Sequence, residues 1–198
     1  MSINHDPKGF KREHPYFIGF DSDGCIFDSM EIKHKECFCP AYIKHFELQV
    51  VAKYARECWD FVNLYSKSRG CNRFLALVAS LDFLRVRPEV IARQAQVPVL
   101  SQLAAWIKVE TKLSNGMLKA KLDSAPTPEL AQLYRWSLEV NERVEDMVHN
   151  LPPFPGVVQV LESARQRADL IVVSQTPVEA LVREWQDNQI DHLIKCIA

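Results

Sequence analysis

The chain has 198 residues, nearly half of them apolar and a quarter charged, with a net charge of −1. That length holds one domain with a good core, or a smaller core plus an inserted module. The near-zero charge gives no general attraction to nucleic acid or to an anionic membrane. Neither the polar opening Met1–His14 nor any later apolar run has the length of a signal peptide or bilayer span. The expectation is therefore a cytoplasmic protein without nucleic-acid or membrane partners. Six cysteines without a Cys-x-x-Cys pair read as reduced thiols. His34, Cys37, Cys39 and His45 have atypical spacing for zinc, and packing is the simpler account.

The first element is an apolar strand, Tyr16 to Phe20, which delivers two carboxylates, Asp21 and Asp23, before Gly24 breaks it. Side chains at i and i+2 share a side of an extended chain, so both acids are expected to face one point beyond the strand end. In an open parallel sheet that is where ligands bind. Two adjacent carboxylates call for a cation or a shared proton, and the natural reading is Mg²⁺ and attack on phosphorus.

From Met30 to about Asn150 the period becomes helical. Val50–Ser66, Cys71–Leu84 and Leu100–Leu113 each repeat apolar residues at three-and-four spacing. Thr127-Pro128-Glu129 combines a hydroxyl cap with proline at the first helical position, opening a helix that runs to near Val148. Between two of these helices, Ser66 to Arg73 forms a basic turn. Gly70 permits the bend, and Arg69 and Arg73 are candidate clamps for a carboxylate or phosphate.

Three prolines in Leu151–Gly156 end the helical stretch. Beyond them come a helix (Val157–Arg167), a short strand (Leu170–Val173), a helix (Pro177–Asp187) and the start of another strand near Ile194. Strands separated by helices imply a parallel sheet. The strand ends in Ser174-Gln175-Thr176-Pro177, where a serine hydroxyl and the N–H groups of the following helix suit a phosphate oxygen.

The Asp-x-Asp-Gly-x-x-x-Asp run from Asp21 to Asp28, followed by a helical insertion and a strand ending in Ser174, resembles the haloacid dehalogenase superfamily. The resemblance implies a Rossmann-like parallel-sheet core from residues 1–30 and 151–198, with a helical cap at 31–150. It implies Asp21 as nucleophile and Asp23 as acid/base, both at a Mg²⁺ site. Ser174, Gln175 and Gly24 then bind phosphate, and Arg69 and Arg73 meet substrate from the cap. The implied activity is hydrolysis of a small phosphorylated metabolite through an aspartyl-phosphate. A phosphomutase of the same fold, or a non-catalytic homologue acting as a binding subunit, are the alternatives. The family's later lysine and acidic metal motif have no match before Ala198, and Lys195 stands too early for that lysine. The expectation is a core incomplete at its C-terminal side, as in a fragment of a longer protein.

Overall fold

A computed structural model describes residues 9–176 and 178–197. The protein is mixed α/β, with a small three-stranded parallel sheet and predominantly helical structure elsewhere. The chain divides into two compact units: residues 1–30 with 148–198, and residues 31–147.

In the first unit, β1 (Tyr16–Phe20), β2 (Ala168–Val172) and β3 (Cys196–Ile197) lie in the order β1-β2-β3. Ile18 pairs with Leu170 and Phe20 with Val172, while Val172 also pairs with Ile197. α9 (Val157–Ala164) connects into β2, and α10 (Val178–Asp187) leads from it towards β3. Gly156, at φ +88, supplies the left-handed turn that starts α9. The core gathers Phe27, Leu161, Leu170, Val172, Leu181 and Trp185. The expected strand at Leu170–Val173 begins two residues earlier, because the β1 register recruits Ala168 and Asp169.

β2 is buried along nearly its whole length, whereas β1 is not. Tyr16 is 71 % and Phe17 63 % exposed, so the strand leading to the two carboxylates is an apolar sheet edge. At the opposite end of the sheet, Asp169 is fully buried and accepts the Glu13 and His14 N–H groups (2.9 and 3.2 Å). His14 Nδ1 lies 2.9 Å and Lys195 Nζ 2.6 Å from its other oxygen. Burial raises the Asp169 pKa, but the bonds from Lys195, His14 and the two N–H groups outweigh it and hold the carboxyl well below its usual range.

The second unit is helical. It comprises α1 (Met30–Ile32, starting one residue before the boundary), α2 (Cys39–His45), α3 (Ala52–Asp60), α4 (Arg73–Arg85), α5 (Pro88–Ala92), α6 (Ser101–Val109), α7 (Asn115–Ser124) and α8 (Pro128–Met147). Lys33–Phe38 and Phe61–Tyr65 are π-helical. Tyr42, Trp59, Phe74, Leu77, Leu103 and Trp136 anchor its core, and Trp59 and Trp136 meet edge-on at 6.3 Å. Thr127 caps α8 as expected, with Oγ1 accepting the Leu130 N–H. The adjacent Glu129 carboxylate accepts the Gln102 and Leu103 N–H groups at 2.9 Å, so the start of one helix closes the start of another.

α4 begins at Arg73 rather than Cys71, because the Asn72 side chain caps the Phe74 N–H. α6 stops at Val109 rather than Leu113, whose carbonyl instead accepts the Asn72 amide. Among the described residues no helix is long and apolar enough to cross a membrane.

Candidate active site

β1 ends at Phe20, and the chain then turns around the carbonyl of Ser22. That oxygen accepts the N–H groups of Cys25, Ile26 and Phe27 at 2.9–3.3 Å, while Gly24 at φ +70 donates its N–H to the Phe27 carbonyl at 2.8 Å. An L side chain is strained at that φ, which accounts for glycine here. The Ser22 hydroxyl is buried between Glu184 Oε2 (3.3 Å) and Trp185 Nε1 (3.1 Å), and Trp185 packs edge-on against Phe27. The carboxylate-bearing loop is thereby fastened to α10.

Asp21 is exposed, and its Oδ1 accepts the Ser22 N–H at 2.8 Å. Asp23 is half-buried, with Ser29 Oγ donating to one oxygen and Thr176 Oγ1 donating to the other at 2.7 Å. The second of these bonds joins the loop after β1 to the loop after β2. Adjacent parallel strands carry both loops, and Val173 N–H to Phe20 O (2.7 Å) continues the pairing to the last residue of β1.

Ser174 is half-buried at the end of β2, its Oγ accepting the Thr176 N–H at 3.3 Å, and Gln175 beside it is exposed. Pro177, expected to start the following helix, lies outside the described residues, as does Ala198. Asp21, Asp23, Gly24, Ser174 and Gln175 thus all belong to two loops that the Thr176–Asp23 bond ties to each other.

Ser29 and Thr176 were not among the residues expected at the site. Their signal in the sequence is slight: a buried serine six residues after Asp23, and a threonine two residues after Ser174. Each hydroxyl fixes the orientation of Asp23 and, by rotating its proton, can accept from Asp23 when that acid is protonated.

Arg69 and Arg73 have different surroundings. Arg69 is exposed in the turn, immediately before Gly70, which adopts φ +78. Arg73 turns onto α8, where Nη1 reaches Ser137 and Asn141. Lys195 is engaged by Asp169 and Glu13, at the start of β2 rather than at its end.

Among the described residues no three His, Cys, Asp or Glu side chains group to hold a metal. Mg²⁺, however, commonly keeps several waters and takes one or two carboxylates plus substrate phosphate. The exposed Asp21 carboxylate, two residues before the half-buried Asp23, is compatible with that smaller requirement. Of the residues considered for zinc, His45 bonds Glu139 at 2.7 Å, His34 stacks on Phe38, and Cys37 donates to the Arg143 carbonyl. Burial pushes the Cys39 thiol up to about 12.

Comparison with protein-family models, curated proteins and solved structures finds no match for this chain.

Proposed function

We propose that the chain is a phosphatase of the haloacid dehalogenase type, acting on a small phosphorylated metabolite. On this reading the first unit is the sheet core and the second unit is its helical cap. The observation that carries the proposal is the 2.7 Å bond from Thr176 to Asp23. It joins the two loops that the chemistry requires, one bearing the acids and one bearing phosphate donors.

Asp21 attacks phosphorus, and the bond to the leaving oxygen breaks as Asp23 delivers its proton there. Asp23 then takes a proton from water as that water attacks the aspartyl-phosphate. Inorganic phosphate leaves and the Asp21 carboxylate is restored. Ser174 Oγ and the Gln175 N–H are the phosphate donors, whereas Gly24, expected to be a third, has its N–H engaged by the Phe27 carbonyl and supplies the turn. Mg²⁺ held by Asp21 and Asp23 would offset charge on the phosphoryl oxygens.

Asp21→Asn is expected to abolish Mg²⁺-dependent hydrolysis of an aryl phosphate and to leave no hydroxylamine-sensitive phosphoprotein. Turnover at the wild-type rate would end this reading. A phosphomutase with the same residues would instead return the phosphoryl group to its substrate, and labelled water distinguishes the two by whether label enters free phosphate. The exposed apolar edge of β1 favours a further reading, a binding subunit that uses this edge.

A further inference from the structure

Arg73 opens α4, and its charge is balanced by no acid among the described residues. Its guanidinium lies over the Phe38 ring at 5.0 Å. Nη1 donates to the Ser137 carbonyl (3.2 Å), to Ser137 Oγ (3.1 Å) and to Asn141 Oδ1 (2.8 Å). All three acceptors are neutral. Among the described residues no carboxylate pairs with Arg73, and desolvation pulls its pKa down to about 10. Three other arginines of this unit have acids: Arg143 has Glu139 at 2.8 Å, Arg87 has Glu57 at 2.8 Å, and Arg85 has Asp82 at 2.7 Å. A largely enclosed cation without a counter-charge is costly, and an anion relieves that cost.

The surroundings add positive potential. Ser137 Oγ donates to Asn115 Oδ1 at the first position of α7, and Asn72 Nδ2 donates to the Leu113 carbonyl just before it. The first turns of α4 and α7 are thereby tied together, and neither contains an acidic residue. Both helices direct the positive ends of their dipoles to this corner. The hydrogen bonds of the guanidinium all use Nη1, so Nε and Nη2 remain as the paired donors that grip an oxyanion side-on. Asn141 and Asn115, whose Oδ1 atoms are engaged by Arg73 and Ser137, each carry an Nδ2 group that is a further donor.

We propose that this corner of the helical unit is an oxyanion site for the carboxylate or phosphate group of a small metabolite, gripped by Arg73 with Asn115 and Asn141. The site stands whether or not Asp21 transfers phosphate.

The test is a titration of the isotope-labelled full chain with inorganic phosphate and, separately, with acetate, at constant ionic strength against chloride. The Arg73 Nε–H and the side-chain amides of Asn115 and Asn141 are expected to shift saturably with phosphate, acetate or both, and not with chloride. A response to phosphate alone identifies a phosphoryl ligand, and one to acetate alone a carboxylate. Arg73→Met should lose the response at Asn115 and Asn141. Asn141→Asp supplies the missing negative charge internally. It should raise Tm by about 2–4 °C without added anion and weaken anion binding at least tenfold. Asp21→Asn should leave the titration unchanged. Absence of a saturable shift with either anion, wild-type affinity in Asn141→Asp, or loss of the shift in Asp21→Asn would each overturn the proposal.

Discussion

Thr176 Oγ1 donates a 2.7 Å hydrogen bond to Asp23 Oδ2, spanning 153 residues of sequence. Hydrogen bonds to charged groups contribute about 1.5–3 kcal/mol, so this contact sets which way the Asp23 carboxyl points. If the proposed phosphatase reading holds, Thr176→Val is expected to lower kcat and kcat/KM for an aryl phosphate about tenfold or more. Thr176→Ser should restore both. On the same reading Asp23→Asn removes the proposed acid and is expected to cost about 10²–10⁴-fold. A Thr176→Val protein with unchanged turnover would show that the bond does not position Asp23.

Each unit contains a carboxylate whose folded pKa is depressed, and acid should weaken both. Asp169 is held by Lys195, His14 and two N–H groups. Burial opposes ionisation of Glu139, but bonds from Lys44, His45 and Arg143 overcome it and bring the carboxyl down to about 2. A group of this kind contributes stability above its unfolded pKa, about 3.9 for Asp and 4.3 for Glu, and loses it as pH falls through the lower folded value. Asp169→Asn and Glu139→Gln should therefore lower the urea midpoint at neutral pH, with the deficit shrinking below about pH 4. For Glu139 it should vanish near pH 2. A deficit that is constant from pH 7 to pH 2 would assign the effect to shape rather than charge.

Trp185 is fully buried, bonds Ser22 Oγ through Nε1 and meets Phe27 edge-on. Trp185→Phe removes the bond and part of the packing beneath the carboxylate loop. The expected loss is about 2 kcal/mol of unfolding free energy. Because Ser22 donates its N–H to Asp21, the phosphatase reading also expects a fall in activity beyond the loss of folded protein. Urea denaturation together with activity per folded molecule separates the two effects.

The five residues of β1 include no charge and no proline, the usual means of blunting a sheet edge. Tyr16 and Ile18 also line a groove of about 510 Å³ with Val160 and Arg167 of the same unit. Phe17→Lys places a cation on an exposed position and should leave stability within about 0.5 kcal/mol. Sedimentation at increasing concentration should show less self-association than wild type. Equal association in the two proteins would mean that β1 is not the adhesive surface.

Local signals in the sequence account for much of the backbone. The apolar run of β1 ending in Asp-x-Asp-Gly, the Thr127-Pro128 start of α8 and the prolines before Gly156 act within a few residues, through backbone sterics and side-chain periodicity. Gly24, Gly70 and Gly156 all occupy positive φ for that reason. The tertiary structure alone decided which side chains meet. The β1–β2 register brings Thr176 to Asp23 and places Asp169, rather than a site residue, against Lys195. It also leaves β1 at the edge with its aromatic rings exposed. The packing of α4, α7 and α8 likewise surrounds Arg73 with neutral acceptors, which the basic turn preceding it does not announce. Spacing along the chain reports which face a residue occupies, whereas its partner depends on strand register and helix packing between segments far apart in sequence.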